Sequence, residues 1–261
     1  MDTSEFLEHI HSTEDVQEAH RPFFLQAGPA SPAALLVHGF TANPEEMREI
    51  AEYLHGRGTT CLAVRLPGHA TNPEDLAGRT WEEWLEAVEQ GFLFLSEFSD
   101  RIYGVGMSTG SLLLLALAMK QDPAGLVLCS PYLKVQHRLA AHAGWLRYFR
   151  PYHMSPRTET RAGYYNKRPL AGVHQINRLI RLVKRHLRDI TVPVLAMNGA
   201  GDATIEIDSG RQLYAELGSE LKIYLRFGPE APHVLTGREN PHQESVFALT
   251  HWFIRALEAH K

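Results

Sequence analysis

The chain has 261 residues, 44% of them hydrophobic, and a formal net charge of −4. That is enough apolar material for one domain with a sizeable core, and the mild negative charge excludes a general affinity for nucleic acid. The longest apolar run, Leu112 to Met119, is far shorter than the roughly 20 residues a membrane helix needs. The acidic start, Met1-Asp2-Thr3-Ser4-Glu5, is not followed by the apolar stretch of a secretory signal. Cys61 and Cys129 each sit in an apolar, strand-like run and read as buried thiols, not as a disulfide or a metal pair, which points to a reducing cytoplasm.

Residues 1–21 read as a polar N-terminal arm. Phe23-Phe24-Leu25 has the look of an edge strand, and Ala33 to His38 is a continuous apolar run, the mark of a strand buried on both faces. Pro44 to His55 reads as a helix, with proline near its start and Gly56 and Gly58 past its end. Thr60–Val64 is the next strand. Thr80 to Phe98 is a long helix, because Trp81, Trp84, Leu85, Val88, Phe92 and Leu95 recur at helical spacing. Strands follow at 101–105, 125–129, 193–197 and 221–227, with helices at 111–120 and 241–259. This alternation predicts an α/β fold, a mostly parallel central sheet flanked by helices.

The rhythm breaks between Cys129 and Val192. The gap is too long for a simple loop, so residues 131–188 are expected to form a small helical cap inserted between the core segments 22–130 and 189–261. Its charge is unusual: Pro131 to Arg188 holds thirteen Lys/Arg and one acid, Glu159. Ile176, Leu179, Ile180, Val183 and Leu187 form an apolar stripe there, flanked by Arg178, Arg181, Lys184, Arg185 and Arg188. Trp145, Leu146, Tyr148 and Phe149 form a second cluster, with Arg147 and Arg150. Either the cations are solvated or paired with the acidic remainder, or the cap contacts an anionic lipid surface or an acidic substrate.

Chemistry is concentrated in Gly106-Met107-Ser108-Thr109-Gly110. A β-branched run precedes it and a leucine-rich helix follows. Strand, G-x-S-x-G and helix together make a nucleophile elbow. Its turn is so tight that the residues two before and two after the serine face each other and must be small. A serine hydroxyl is a weak nucleophile until an imidazole takes its proton, and the imidazole needs a carboxylate to fix its tautomer. In this architecture the order is serine, acid, histidine, each following a strand end. Asp202 follows the strand 193–197, and His233 follows the strand 221–227 through Gly228-Pro229-Glu230-Ala231-Pro232. Asp202 has a second reading, as the cap of a helix starting near Ile205, and Asp208 competes with it. His38-Gly39-Phe40 follows the first buried strand. There the Phe40 N–H and the Thr109 N–H would form an oxyanion hole, in which one donor is worth roughly 3–4 kcal/mol in the transition state. His38 and His69 read as structural histidines. No spacing of His or Cys suggests a metal site.

His38-Gly39-Phe40-Thr41, Leu66-Pro67-Gly68-His69, Gly106 to Gly110, Asp202 and Pro232-His233-Val234 together resemble the bacterial carboxylesterase and monoacylglycerol lipase group of the α/β-hydrolase superfamily. The resemblance runs from about Phe23 to Leu257. It implies the α/β-hydrolase fold and hydrolysis of short or medium acyl esters without a cofactor. It makes Ser108 the acyl-accepting nucleophile, with Phe40 and Thr109 supplying the oxyanion N–H groups. Members often carry a glycine where this chain has Ser111; the extra hydroxyl is expected to be tolerated, either crowding the packing or contacting substrate. A thioesterase, amidase or perhydrolase could use the same triad. A non-catalytic binding protein of this fold would usually lack one triad member, and a haloalkane dehalogenase would need Asp at position 108.

Overall fold

The structure, a computed structural model, describes residues 16–136, 138–154 and 164–259. Most of the N-terminal arm, residues 1–15, lies outside this range.

Strands built of unbroken apolar residues must be covered on both faces, and the sheet is arranged accordingly. Strands β1 (Phe23–Leu25), β2 (Ala33–Val37), β3 (Thr60–Val64), β4 (Ile102–Met107) and β5 (Gly125–Cys129) are joined later in the chain by β8 (Val194–Gly199) and β9 (Lys222–Phe227). Their order across the sheet is β1-β3-β2-β4-β5-β8-β9. All neighbours are parallel except β1, which runs antiparallel to β3. Every residue of β2, β3, β4, β5 and β8 is buried.

Alternate side chains feed two cores. Leu35, Val37, Leu62, Val64, Leu126 and Leu128 pack under helices α3 (Trp81–Ser96), α4 (Thr109–Leu117) and α6 (Leu170–His186). Leu36, Ala63, Tyr103, Val105, Val127 and Leu195 pack against α1 (Arg48–His55) and α8 (Gln243–Ala259). α3 opens with a complete capping box, in which Thr80 and Glu83 satisfy each other's free amides. The short helix α2 (Pro73–Gly78) was not foreseen, although Asn72 caps it and Pro73 starts it, both readable start signals.

The chain leaves β2 toward β3 on one side and leaves β4 toward β5 on the other. A crevice therefore opens at the C-terminal ends of β2 and β4, the place where open α/β sheets bind ligands. Ser108 stands at the end of β4 and His38-Gly39-Phe40 at the end of β2.

The stretch expected as one helical cap has two parts. Its last helix, α6, carries the foreseen stripe, and Ile176, Leu179, Ile180 and Val183 are buried in the same core as α3 and α4. It is the crossover helix between the parallel strands β5 and β8, so its apolar stripe covers the sheet. What stands beyond the body lies before it, and it is not purely helical. A 3-10 turn (Arg138–His142) and the single-turn helix α5 (Ala143–Leu146) are followed by a small antiparallel pair, β6 (Tyr152–Met154) with β7 (Lys167–Pro169). Between the body strands β9 and β8 lies α7 (Ile207–Glu216), reached from β8 by the loop that holds Asp202.

Candidate active site

The elbow is as tight as its glycines imply. A Cβ placed on Gly106 would sit 2.7 Å from the Gly110 carbonyl carbon, and one on Gly110 would sit 2.1 Å from the Val37 carbonyl oxygen. Ser108 takes φ 55° and ψ −113°, a backbone state that L residues rarely adopt. Strain of this kind persists only where surroundings hold it. Here the Ser108 N–H donates to the Cys129 carbonyl at 2.8 Å.

Ser111 belongs to the same brace. Its hydroxyl is fully buried and is shared between the Gly106 carbonyl (2.8 Å) and the Cys129 carbonyl (3.1 Å). The expected crowding or substrate contact is therefore not what this hydroxyl does: it ties the ends of β4 and β5 to the first turn of α4.

Ser108, His233 and Asp202, predicted from three distant segments, converge. The Ser108 hydroxyl donates to His233 Nε2 at 2.8 Å, and His233 Nδ1–H donates to Asp202 Oδ2 at 2.6 Å. All three are buried. Asp202 Oδ1 is also engaged, accepting from the Thr204 N–H (2.8 Å) and the Ile205 N–H (3.2 Å). The capping reading of Asp202 thus survives in altered form. The aspartate braces its own loop, but the helix begins later, at Ile207, and one oxygen remains for the imidazole. Asp208 lies exposed in the first turn of α7, away from this chain of bonds.

The loop that carries His233 is held from behind by a residue the sequence reading missed. Ser130, at φ 51°, donates its hydroxyl to the His233 carbonyl at 2.6 Å and its N–H to the Met197 carbonyl at 2.7 Å. Its place at the end of a central strand was the available signal.

Phe40 and Thr109, the two expected oxyanion donors, both line the cavity that Ser108 and His233 face. Thr109 is the first residue of α4, so its N–H has no partner one turn back in the helix. His38 donates from Nδ1–H to the Gly39 carbonyl (2.9 Å) and accepts the Leu66 N–H at Nε2 (3.2 Å). One donor and one acceptor define a neutral ring. Burial, with His69 nearby, lowers its pKa well below the usual histidine value. His69 donates to the Pro67 carbonyl at 3.2 Å, and burial holds its pKa at about 3. Both are structural, as expected: His38 packs edge-on against His69, and His69 with Trp84 packs around Phe40.

The cavity has a volume of about 80 Å³. Apolar Val135, Val173, Ile176 and Ile205 supply part of its wall; Glu46, Tyr132, Tyr164 and Arg168 bring polar groups that sequence reasoning did not single out. Tyr132 lies just beyond β5, after Ser130 and Pro131, and its hydroxyl lies 3.0 Å from Thr109 Oγ1. Burial pushes its phenol up to about 12, so it stays protonated at working pH. The two thiols are buried and free, and burial, with Glu46 nearby, pushes Cys129 up to about 12. Neither is a nucleophile in waiting. Among the described residues no group of His, Cys, Asp or Glu is placed to hold a metal, and no helix is long and apolar enough to cross a membrane.

This constellation on this sheet defines a class. The alpha/beta hydrolase family model matches residues 34–252, and the chain belongs to that family. Within it, a carboxylesterase of Bacillus subtilis (strain 168) is 30% identical over 223 residues, covering 83% of this chain and 89% of the relative. A thermostable monoacylglycerol lipase of Bacillus sp. (strain H-257) is 30% identical over 212 residues, covering 78% of this chain and 83% of the relative. In fold, the chain superposes with a TM-score of 0.84 on a structure described under LipS and LipT, two metagenome-derived lipolytic enzymes. There the identity is 22%, with 93% of this chain and 100% of that one covered.

Proposed function

We propose that this chain is a serine hydrolase of carboxylic esters, with Ser108 as nucleophile, His233 as general base and then acid, and Asp202 as the carboxylate that orients the imidazole. The observation that carries the reading is the continuous chain of hydrogen bonds from Ser108 Oγ through His233 to Asp202, on an elbow strained at the serine. The names of the two Bacillus relatives point the same way.

The steps follow from the geometry. Ser108 Oγ attacks the ester carbonyl carbon while its proton passes to His233 Nε2. Asp202 stabilises the imidazolium that forms. The carbonyl oxygen gains negative charge and is held by the Phe40 and Thr109 N–H groups. Collapse expels the alcohol, which takes the proton back from Nε2 and leaves an acyl group on Ser108. Water, deprotonated by the same imidazole, then releases the acid. These residues complete the cycle without a cofactor. Val135, Val173, Ile176 and Ile205 give the cavity an apolar wall, which suits the acyl chain of an ester.

The segment before α6 supports a finer reading. Trp145, Tyr148, Phe149 and Met154 are 61–72% exposed, and the Trp145 and Phe149 rings lie 4.8 Å apart. Arg147 and Arg150 flank them. Aromatic and cationic side chains presented together fit contact with an anionic lipid surface.

A fluorophosphonate probe tests the central reading. Labelling located at Ser108 by peptide mass spectrometry, with turnover of matched short-chain esters, is the expected result. Absence of labelling would leave a binding protein. Faster turnover of the matched thioester or amide would move the assignment to those classes.

A further inference from the structure

Glu46 is a buried carboxylate that none of these steps uses. It lies in the 3-10 turn Pro44–Met47 after β2, and it forms part of the cavity wall beside Ser108. Nothing in the sequence reading marked it. Buried carboxylates need partners, and both oxygens have one. Oε2 accepts the Gly39 N–H at 2.6 Å, and Oε1 accepts the Tyr164 hydroxyl at 2.5 Å. Gly39 in turn packs on the nucleophile: a Cβ placed there would lie 3.3 Å from Glu46 Oε2 and 3.4 Å from Ser108 Cβ.

The peptide joining Gly39 to Phe40 carries one of the two N–H groups assigned to the oxyanion. Its orientation depends on what holds Gly39 on either side. The Gly39 carbonyl accepts from His38 Nδ1–H (2.9 Å) and from the Ala42 N–H (3.2 Å). In a trans peptide the carbonyl and the following N–H point opposite ways, so pinning the carbonyl aims the Phe40 N–H away from His38. Glu46 pins the N–H on the other side of Gly39. Between them these bonds fix the two torsions of a residue with little restriction of its own.

Tyr164 extends the clamp to the segment that stands over the site. The next residue, Tyr165, donates its N–H to the Thr41 carbonyl at 3.2 Å, and its hydroxyl reaches the Gly68 carbonyl at 3.2 Å. One dipeptide therefore grips the 39–41 loop at both ends, through Glu46 at Gly39 and directly at Thr41.

We infer that Glu46 is a positioning residue for the oxyanion hole, and that Tyr164 couples it to the covering segment. The inference rests on the esterase reading above. The test compares Glu46→Ala, Glu46→Gln and Tyr164→Phe with the wild type on a p-nitrophenyl ester, measuring kcat, KM and Tm. Glu46→Ala is expected to lower kcat about 30-fold with KM within about threefold, the pattern of a lost transition-state interaction. Glu46→Gln should stay within about threefold of wild-type kcat, because its amide oxygen accepts the Gly39 N–H and its amide N–H donates to the Tyr164 oxygen. Tyr164→Phe should lower kcat about fivefold, and should add little to Glu46→Ala because the two act through one network. A wild-type kcat in Glu46→Ala overturns the inference, and so does a glutamine variant as impaired as the alanine one. If the alanine variant does not fold, a wild-type kcat in Tyr164→Phe or a collapsed kcat in Glu46→Gln still overturns it. A wild type inert toward esters sinks the esterase reading itself, a result plainly different from any of these.

Discussion

The crevice at the sheet edge and the aromatic tip of residues 143–154 are built on opposite terms. In the crevice several polar groups are held at more than one point: Asp202 by a histidine and two amides, Ser111 by two carbonyls, His38 through both ring nitrogens. At the tip, large apolar side chains face solvent and hold mainly one another. The first arrangement fixes geometry for chemistry, and the second leaves surface available for contact. Substitutions in the two regions should therefore fail differently, in rate on one side and in association on the other.

The largest effects belong to the crevice. Ser108→Ala should reduce ester hydrolysis by several orders of magnitude while Tm stays within about 2 °C, since it removes one hydroxyl and little packing. Asp202→Asn should cost about 10³–10⁴ in kcat and combine non-additively with the serine change. Asp208→Asn, on an exposed residue, should do nothing. An inactive Asp208→Asn beside an active Asp202→Asn would transfer the role of the acid.

The proposed triad was legible in the sequence because its signals are local and chemical. G-x-S-x-G needs only its own turn, and Asp202 and His233 each follow a recognisable strand. What stayed hidden depends on packing across the chain. Glu46 lies in the stretch read as the helix Pro44 to His55; the turn after β2 folds it back on Gly39, and the pairing of β2 with β4 brings both beside Ser108. The stripe of α6 was visible as amphipathic, but periodicity cannot say which surface a stripe covers, so a core helix was read as part of the cap. The pairing of β6 with β7 joins two three-residue strands, too short to leave an alternation pattern.

Stability should respond to acid through the histidines that frame the oxyanion loop. Burial holds the pKa of His69 at about 3, against roughly 6.5 in an unfolded chain. Between these values the unfolded chain binds a proton that the folded one refuses. The stabilisation is therefore complete above pH 6.5 and is lost as pH falls from there toward 3. At about 1.36 kcal/mol per pKa unit, the full effect is on the order of 5 kcal/mol. The urea midpoint should drop steadily from pH 7 to pH 4, and His69→Gln should flatten that slope. A wild-type midpoint unchanged over this range would contradict the buried, neutral state of the pair.

Ser111 gives a smaller effect of mixed character. Ser111→Ala removes a buried donor shared by two carbonyls, a loss of about 1–2 kcal/mol. The Cys129 carbonyl keeps the Ser108 N–H as partner, so the elbow should persist, with kcat reduced less than about tenfold. Thermal unfolding and steady-state kinetics measured together decide the point. A variant with unchanged Tm would show that the hydroxyl braces nothing.

The smallest effect on the folded protein, and the sharpest test of the contrast, comes from the tip. Replacing Trp145, Tyr148 and Phe149 with serine removes exposed rings, so Tm should barely move and hydrolysis of a soluble short-chain ester should stay within about twofold. Binding to vesicles with anionic headgroups should instead fall several-fold, because insertion of aromatic rings and attraction of Arg147 and Arg150, on the order of 1 kcal/mol each, act together at such a surface. Added salt should weaken wild-type binding by screening the arginines and leave the aromatic contribution. Co-sedimentation with anionic and zwitterionic vesicles, at low and high salt, separates the two parts. Equal, salt-insensitive recovery of wild type and variant on both vesicle types would mean that the exposed rings serve no lipid contact. A variant that instead lost soluble-ester turnover would show that the tip shapes the crevice, and the division between a rigid site and an outward-facing contact surface would fall.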